Sequence, residues 1–257
     1  MEFFKVKIEE YIATITFNRP PANALSSAVL KELTSLLETI ESNDSVRVLV
    51  IHGEGRFFSA GADIKEFTTI NSGEEFSNLA RKGQTLFERM ERFPKPIIAS
   101  IHGAALGGGL ELAMACHFRL VGERAKLGLP ELQLGLIPGF AGTARLPRYV
   151  GVAKAAQMLW TSDPINGVEA VQYGLANQAF PEETLHEETM KIARKIAQKS
   201  PLTIKATIEL LNSMKNEQYE ATVTREAILF GEMFISEDGQ EGISAFIEKR
   251  QPTFKGK

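Results

Sequence analysis

The sequence predicts an α/β fold, and three observations carry that expectation. Two compact apolar runs, "VRVLVIHG" from Val46 and "PIIASIHG" from Pro96, are too short for helices and apolar enough for strands covered on both faces. Around them, apolar residues recur at helical spacing, so strand and helix alternate along the chain. Past Val150 the strand-like runs thin out and the C-terminal quarter reads as helix.

At the N-terminus, "KVKIEEYIATITF" reads as two short strands around Glu9 and Glu10, a β-hairpin with Ile12, Thr14 and Thr16 on one face and Ala13, Ile15 and Phe17 on the other. After the turn residues "NRPPANAL", Val29, Leu30, Leu33, Leu36, Leu37 and Ile40 mark an amphipathic helix with Ser26 as its N-cap. A helix is expected between Glu74 and Arg92, joining the two buried strands. "LGLPELQLGLIPGFAGTARL" holds a leucine-rich stretch around Glu131, a strand with Glu131 on its wet face if that residue turns to solvent. "SPLTIKATIELLNSM" places Ser200 and Pro201 as N-cap and first helical residue, with Ile204, Ile208 and Leu211 on one face. Asp238 with Glu241 forms a capping-box pattern that opens "EGISAFIEKR". The chain thus divides into an α/β core over residues 1–195 and a helical region over 196–257. A helical layer appended to an α/β body needs something to cover, and self-association is the expectation.

Composition narrows the function classes. With 257 residues, 44% hydrophobic and 24% charged, and a formal net charge of -3, the chain has the profile of an ordinary globular protein. The absence of a dense Lys/Arg stripe argues against nucleic acid as the main ligand. One cysteine, Cys116, cannot form an internal disulfide and suits a reducing compartment. No run of ~18 apolar residues could span a bilayer, and the opening stretch alternates like strand, unlike a targeting peptide. A cytoplasmic protein without membrane partners is expected. His52, His102, His117 and His186 lack a paired ligand spacing such as H-E-x-x-H, so no metal is expected. "GAALGGG" is not the dinucleotide fingerprint G-x-G-x-x-G, and no phosphate loop of the form G-x-x-x-x-G-K-[ST] occurs.

Three segments are candidates for chemistry. In "GAALGGGLELAMAC", Gly107, Gly108 and Gly109 oppose the helix propensity of "LELAMA", at about 1 kcal/mol each relative to alanine. They serve either a tight turn or a ligand that approaches the main chain more closely than a β-carbon allows. "RFFSAGADIKEF" comes after a strand with small residues, as an ordinary loop or as a surface shaped for close approach. In "LGLPELQLGLIPGFAGTARL", Glu131 stands among leucines, either turned to solvent or held neutral. A glycine-opened helix offers free N–H groups and a positive dipole end to an anion forming on a carbonyl oxygen. Glu111 lies in that helix's first turn, where the dipole favours its ionised form, whereas an apolar surround favours protonated Glu131. One base and one acid are expected.

With "NRPPANALS", "FSAGADIKEF", "IHGAALGGGLELAMAC", "PELQLGLIPG", "LGLIPGFAGTARLPRYVG", "YGLANQ", "SPLTIKA" and "EDGQEGISAFIEKRQPTFKGK" in this order, the chain resembles the crotonase (enoyl-CoA hydratase/isomerase) superfamily over nearly its whole length. It is similar above all to the enoyl-CoA hydratases. The resemblance implies a spiral of repeated ββα units with a C-terminal helical trimerisation region, in a homotrimer or a dimer of trimers. It implies an oxyanion hole from the backbone N–H groups of Ala62 and Gly108, with Glu111 and Glu131 flanking the substrate double bond. Ala60, Gly61, Asp63 and Ile64 resemble the family's adenine-binding turn. Lys65 and Lys249 are candidate partners of CoA phosphates, or merely solvated; Gly139 resembles a glycine bordering the water site. Phe246 with Lys249 would help close a CoA site, one belonging to the neighbouring subunit.

The activity this implies is reversible syn hydration of a trans-2-enoyl-CoA thioester to the 3-hydroxyacyl-CoA, as in fatty-acid β-oxidation. Coenzyme A enters as part of the substrate, and no further cofactor is expected. Δ3-Δ2-enoyl-CoA isomerisation or another acyl-CoA lyase chemistry of the family is the alternative, and an RNA-binding or CoA-ester-binding member is the non-enzyme one. The chain departs from the family pattern at Ala141, where glycine is commoner, and at His117, which replaces an aspartate. His117 is read as structural, an imidazolium beyond the end of the helix that Gly108 opens.

Overall fold

A computed structural model of the chain describes residues 1–68, 72–215 and 219–257. The hairpin opens it: β1 (Phe4–Glu9) and β2 (Ile12–Phe17) pair antiparallel with Glu9 opposite Ile12. Glu10 and Tyr11 hold positive φ (50° and 63°), the two-residue turn whose twist suits a hairpin. α1 (Ser27–Glu41) starts on Ser26, whose hydroxyl accepts from Val29 N, and buries every apolar position expected of it. β3 (Val48–Gly53) returns parallel to β2, Ile12 facing Val48. α2 (Ile64–Phe67) is a single turn begun by Asp63, and α3 (Gly73–Glu91) is capped by Ser72.

Two ββα units come next. The first is β4 (Ile97–Ile101), β5 (Ala104–Leu106) and α4 (Gly108–Ala115). The second is β6 (Phe118–Gly122), β7 (Lys126–Gly128) and α5 (Gly142–Thr161), the last broken at Gly151, whose φ of 75° is not helical. In each unit the first strand joins a six-stranded sheet and the second a three-stranded one. β8 (Ile165–Asn166), α6 (Gly167–Gln172), β9 (Gln178–Phe180) and α7 (Glu182–Ala197) complete the body. The large sheet runs β1-β2-β3-β4-β6-β9, parallel from β2 onward, and the small one β5-β7-β8.

Alternate side chains of the large sheet enter different cores. Ala13, Ile15, Leu49, Ile51, Ile97 and Ala99 pack with the apolar faces of α1, α3 and α4. Ile12, Val48, Val50, Ile98 and Leu120 pack with Leu185, Ala193 and Ala197 of α7. This double covering explains why the central strands read as continuous apolar runs.

Several expectations change here. Strand pairing in the leucine-rich stretch stops at Gly128, and Glu131–Leu134 form a 3-10 turn. Pro130, at its N-cap, brings no N–H to a ladder. α8 (Pro201–Ser213), α9 (Tyr219–Ile235) and α10 (Glu237–Glu248) form the terminal layer. On α8, Ile208 is buried but Leu211 is 66% exposed, with that end of the face left uncovered by the described residues. α10 is capped by Ser236, one residue before the helix, and not by Asp238. Asp238 is instead buried, accepting from Ser200 Oγ (2.6 Å) and Lys255 N (2.7 Å) while its own N–H donates to Lys257 O (2.9 Å). Ser200 stands at the N-cap of α8 and Pro201 is its first residue, as expected, but the Ser200 hydroxyl goes to Asp238 and makes no capping bond. Glu241 pairs with Arg250 (2.6 Å). The chain's last residues are thereby tied to the start of α8.

Candidate active site

The site lies where α4 begins. Gly107 turns the chain with φ 51° and ψ -129°, a conformation open to glycine alone at little cost, and donates its N–H to Gly128 O (2.9 Å). A β-carbon there would also lie 2.9 Å from Glu131 Oε1. Opposite, residues 59–63 run between two partners: Leu106 N donates to Ser59 O, Leu25 N to Gly61 O, and Asp63 N to Leu25 O. This pairing uses the groups on either side of Ala62 N and leaves that N–H free of any backbone partner among the described residues. Gly108 N, at the first helical position, is likewise free. The two donors are neighbours, since a β-carbon on Gly108 would stand 3.4 Å from Ala62 N. Gly107 makes the turn, and Gly108, without a β-carbon, leaves both N–H groups at the wall of a cavity.

Glu111, in the first turn of α4, is 1% exposed, and its Oε1 accepts from Phe140 N (2.8 Å) and Gly142 N (2.7 Å). The ionised state is favoured less than the helix dipole alone implies, so that both forms are accessible at neutral pH. Burial pushes the Glu111 carboxyl up to about 7, seconded by the charge of Glu131 and opposed by the two N–H bonds and Arg145. Desolvation exceeds the dipole because the group lies almost wholly out of water. Glu131 is half-buried, not turned to solvent; burial raises its carboxyl as well, and its Oε2 is buried with no hydrogen-bond partner among the described residues.

Both carboxyl groups and both donors line one cavity of about 170 Å³. Of the residues expected at the site, Ala60, Gly61, Ala62, Ile64, Gly108, Glu111, Glu131 and Gly139 line it. Asp63, Lys65, Phe246 and Lys249 do not. Asp63 starts α2 and pairs with Arg19 (2.5 Å), which keeps its carboxyl below the ordinary value. Lys65 is exposed on α2, while Phe246 and Lys249 lie on α10 and at its C-cap, Phe246 85% exposed. In one chain, therefore, the terminal helix does not close this cavity.

Sequence reasoning missed the rest of the lining. Phe76, Leu79 and Ala80 continue the stripe of α3 that buries Gly83, Leu86, Phe87 and Met90, so periodicity alone marks them as core; at this end the stripe faces the cavity. Phe67 meets Phe76 edge-on (4.8 Å), and Phe140 meets Phe87 (5.4 Å), giving apolar walls. Leu136, Ile137 and Phe140, in the loop after the 3-10 turn, carry no periodic signal.

The two departures are accounted for locally. Ala141 holds φ 69°, a left-handed conformation that costs an alanine about 1–2 kcal/mol more than a glycine, and it places Phe140 N and Gly142 N on either side of one carboxylate oxygen. His117 is not an imidazolium. Burial drives it down to about 4, and its Nδ1 accepts from Ile97 N (3.0 Å), so the ring is neutral. The α4 C-terminus is served by Arg119, whose guanidinium donates to Cys116 O (2.7 Å) and Ala113 O (3.3 Å). Among the described residues no group of three or more His, Cys, Asp or Glu side chains could hold a metal ion, and no helix is long and apolar enough to cross a membrane.

The ββα units and the paired carboxyls beside two free N–H groups define a crotonase-type fold, and the chain belongs to the Enoyl-CoA hydratase/isomerase family, whose sequence profile matches residues 7–257. It is 56% identical over 257 residues, all of each chain, to the probable enoyl-CoA hydratase of Bacillus subtilis (strain 168). It is 41% identical over 253 residues to the crotonyl-CoA hydratase of Syntrophomonas wolfei, covering 97% of this chain and 96% of that one. Among solved structures, an enoyl-CoA hydratase from Bacillus anthracis superposes with a TM-score of 0.94 at 37% identity, covering 99% of this chain and 100% of the other.

Proposed function

We propose that the chain is an enoyl-CoA hydratase, adding water reversibly and syn across the double bond of a trans-2-enoyl-CoA. The observation that carries this reading is the meeting of two free N–H donors and two carboxyl groups of raised pKa in one apolar cavity. Ala62 N and Gly108 N donate to the thioester oxygen and stabilise the negative charge that gathers on it. Glu111 takes a proton from water as the water oxygen bonds to the β-carbon, and the π pair moves toward the carbonyl oxygen. Glu131, whose Oε2 has no hydrogen-bond partner among the described residues, delivers its proton to the α-carbon as the enolate collapses. Transfer of the proton from Glu111 back to Glu131 restores the site, so that one water is consumed.

A carboxyl near 7 is matched to this work, because it exchanges a proton at neutral pH at little cost. The second carboxyl favours hydration over isomerisation, which needs one base only. Coenzyme A is held as part of the substrate, with the turn at residues 60–64 toward its adenine and Lys65 and Lys249 toward its phosphates. The exposed Phe230, Phe234, Ile235, Phe246 and Ile247 of α9 and α10 support self-association; the assembly proposed is a homotrimer or hexamer, in the cytoplasm, in which a neighbour's α10 completes the CoA site. Light scattering should give a mass of at least three times 28.3 kDa; a monomer at micromolar concentration contradicts the assembly. Crotonyl-CoA mixed with the protein should lose its conjugated-enoyl absorbance with no added metal or cofactor. Unchanged absorbance with intact acyl-CoA binding contradicts the hydratase reading.

A further inference from the structure

We infer that the ion pair of Glu91 and Arg145 positions Glu111 for its part in the reaction, acting through the loop from Phe140 to Gly142. Glu91 ends α3 and Arg145 lies in the first turns of α5, their side chains 14% and 4% exposed. Arg145 Nε donates to Glu91 Oε1 (3.2 Å), and its Nη1 donates to Phe140 O (2.5 Å). The same residue, Phe140, donates its N–H to Glu111 Oε1, joined there by Gly142 N. The loop is therefore gripped on both sides, by a guanidinium at its carbonyl and by the carboxylate at its amides. Glu91 is held in turn from the end of α8: Asn212 Nδ2 donates to its backbone O (2.5 Å), and Lys215 Nζ lies 3.2 Å from its Oε1.

The cost of burying two charges is seldom recovered as stability, and an apolar pair would fill this space at least as well. What an apolar pair cannot supply is a planar fork that fixes one carboxylate and one carbonyl together. Neither Glu91 nor Arg145 lines the cavity, so each acts through the loop and is a positioning residue. The charges that face Glu111 are Glu131 from the 3-10 turn and Arg145 from α5. Those around Glu91 are Arg145 and Lys215, with neutral His117 beside them and Arg119 behind it; burial opposes the Glu91 charge, and the two cations outweigh it.

The inference rests on the hydratase reading for its catalytic meaning, but its test has a readout that does not. The titration of Glu111 is followed by NMR of carboxyl-labelled glutamate, assigned with Glu111→Gln, alongside the pH profile of crotonyl-CoA hydration. Arg145→Met removes a cation that favours the Glu111 carboxylate, so Glu111 titrates at higher pH. Glu91→Gln keeps an acceptor for Arg145 but removes the charge that offsets it, so Glu111 titrates at lower pH. The low-pH limb of the hydration profile moves in the same two opposite directions. Arg145→Met lowers kcat on the order of 10- to 10²-fold with KM little changed, as expected when a reacting group is misplaced but substrate contacts remain. Arg145→Lys restores the pH position and not the full kcat. Wild-type protein that fails to hydrate crotonyl-CoA removes the hydratase reading, and the opposed shifts of Glu111 still decide the inference. A Glu111 titration unmoved in both variants overturns it, as does a loss of kcat that tracks thermal unfolding alone. Should Arg145→Met not fold, an unmoved titration in Glu91→Gln is sufficient to overturn it.

Discussion

Glu111 and Glu131 face the same cavity from two regions built in different ways. The α4 entrance is regular structure: a helix start packed in the core, a carboxylate oxygen held by two amide N–H groups, and a buried ion pair behind the loop that carries them. The turn at Glu131–Leu134 is a single 3-10 turn that leaves Leu134 exposed and gives one carboxylate oxygen no partner among the described residues. The difference teaches that two carboxyls lining one cavity, both raised by burial, can still be held in opposite ways. In the proposed hydration, a carboxylate clamped by two amides suits orienting and deprotonating water, and a carboxyl with a free oxygen suits carrying a proton to carbon.

The largest effect comes from removing either group. Glu111→Gln and Glu131→Gln should each lower hydration about 10²–10⁴-fold while leaving acyl-CoA affinity close to wild type, because neither deletes a donor to the thioester oxygen. Steady-state rates and calorimetric titration with acyl-CoA measure the two quantities. Near wild-type hydration by Glu111→Gln removes that residue's role as base.

Two glycines sharpen the comparison without touching the carboxyl groups. A β-carbon on Gly142 would lie 2.8 Å from Glu111 Oε1, and one on Gly107 would lie 2.9 Å from Glu131 Oε1. Gly142→Ala displaces the clamped group and should lower kcat by about 10²-fold. Gly107→Ala displaces the free one, which can re-seat, and should lower kcat less. It should melt earlier, however, since an alanine at φ 51° is strained by about 1–3 kcal/mol. Equal kinetic losses in the two variants would erase the distinction between clamped and free.

Stability against pH separates the regions again. Glu111 keeps its proton to about 7 in the folded state, against an ordinary 4.5. Between those values the folded state holds a proton that the unfolded state has lost, so stability falls as pH rises through that window. Above pH 7 the buried charge costs roughly 1–3 kcal/mol. Glu111→Gln should therefore be more stable than wild type at pH 8 by about that amount, with the gap closing toward pH 4.5. Glu131→Gln, at a half-buried position, should show a smaller gain. Denaturant melts across this range measure both, and no gain at pH 8 for Glu111→Gln contradicts the raised pKa.

The fold and site are legible in the sequence where local chemistry decides. Ser26 before an apolar stripe, the β-branched runs at Val48 and Ile97, and the glycines before Glu111 are readable because capping, burial and backbone freedom act over a few residues. The strand expected at Glu131 does not form, since Pro130 breaks an alternation that leucines alone continue. The states of His117 and Glu111 depend on burial contributed by distant segments, which outweighs a helix end. Asp238 resembles a cap in sequence, yet its partners Ser200 and Lys255 lie far along the chain from α10's first turn. Arg145 and Glu91 lie 54 residues apart, and nothing in either motif announces the other.

The central claim is that these two regions act together to add water across a conjugated thioester. Hydration of crotonyl-CoA in labelled water, H₂¹⁸O and D₂O in separate runs, tests it most directly by mass spectrometry and NMR of the product. One ¹⁸O at the β-carbon and one deuterium at the α-carbon, on the same face, is the predicted result. Deuterium at the γ-carbon with no ¹⁸O incorporated would contradict it, showing one base moving a proton along the chain instead of two carboxyl groups adding water.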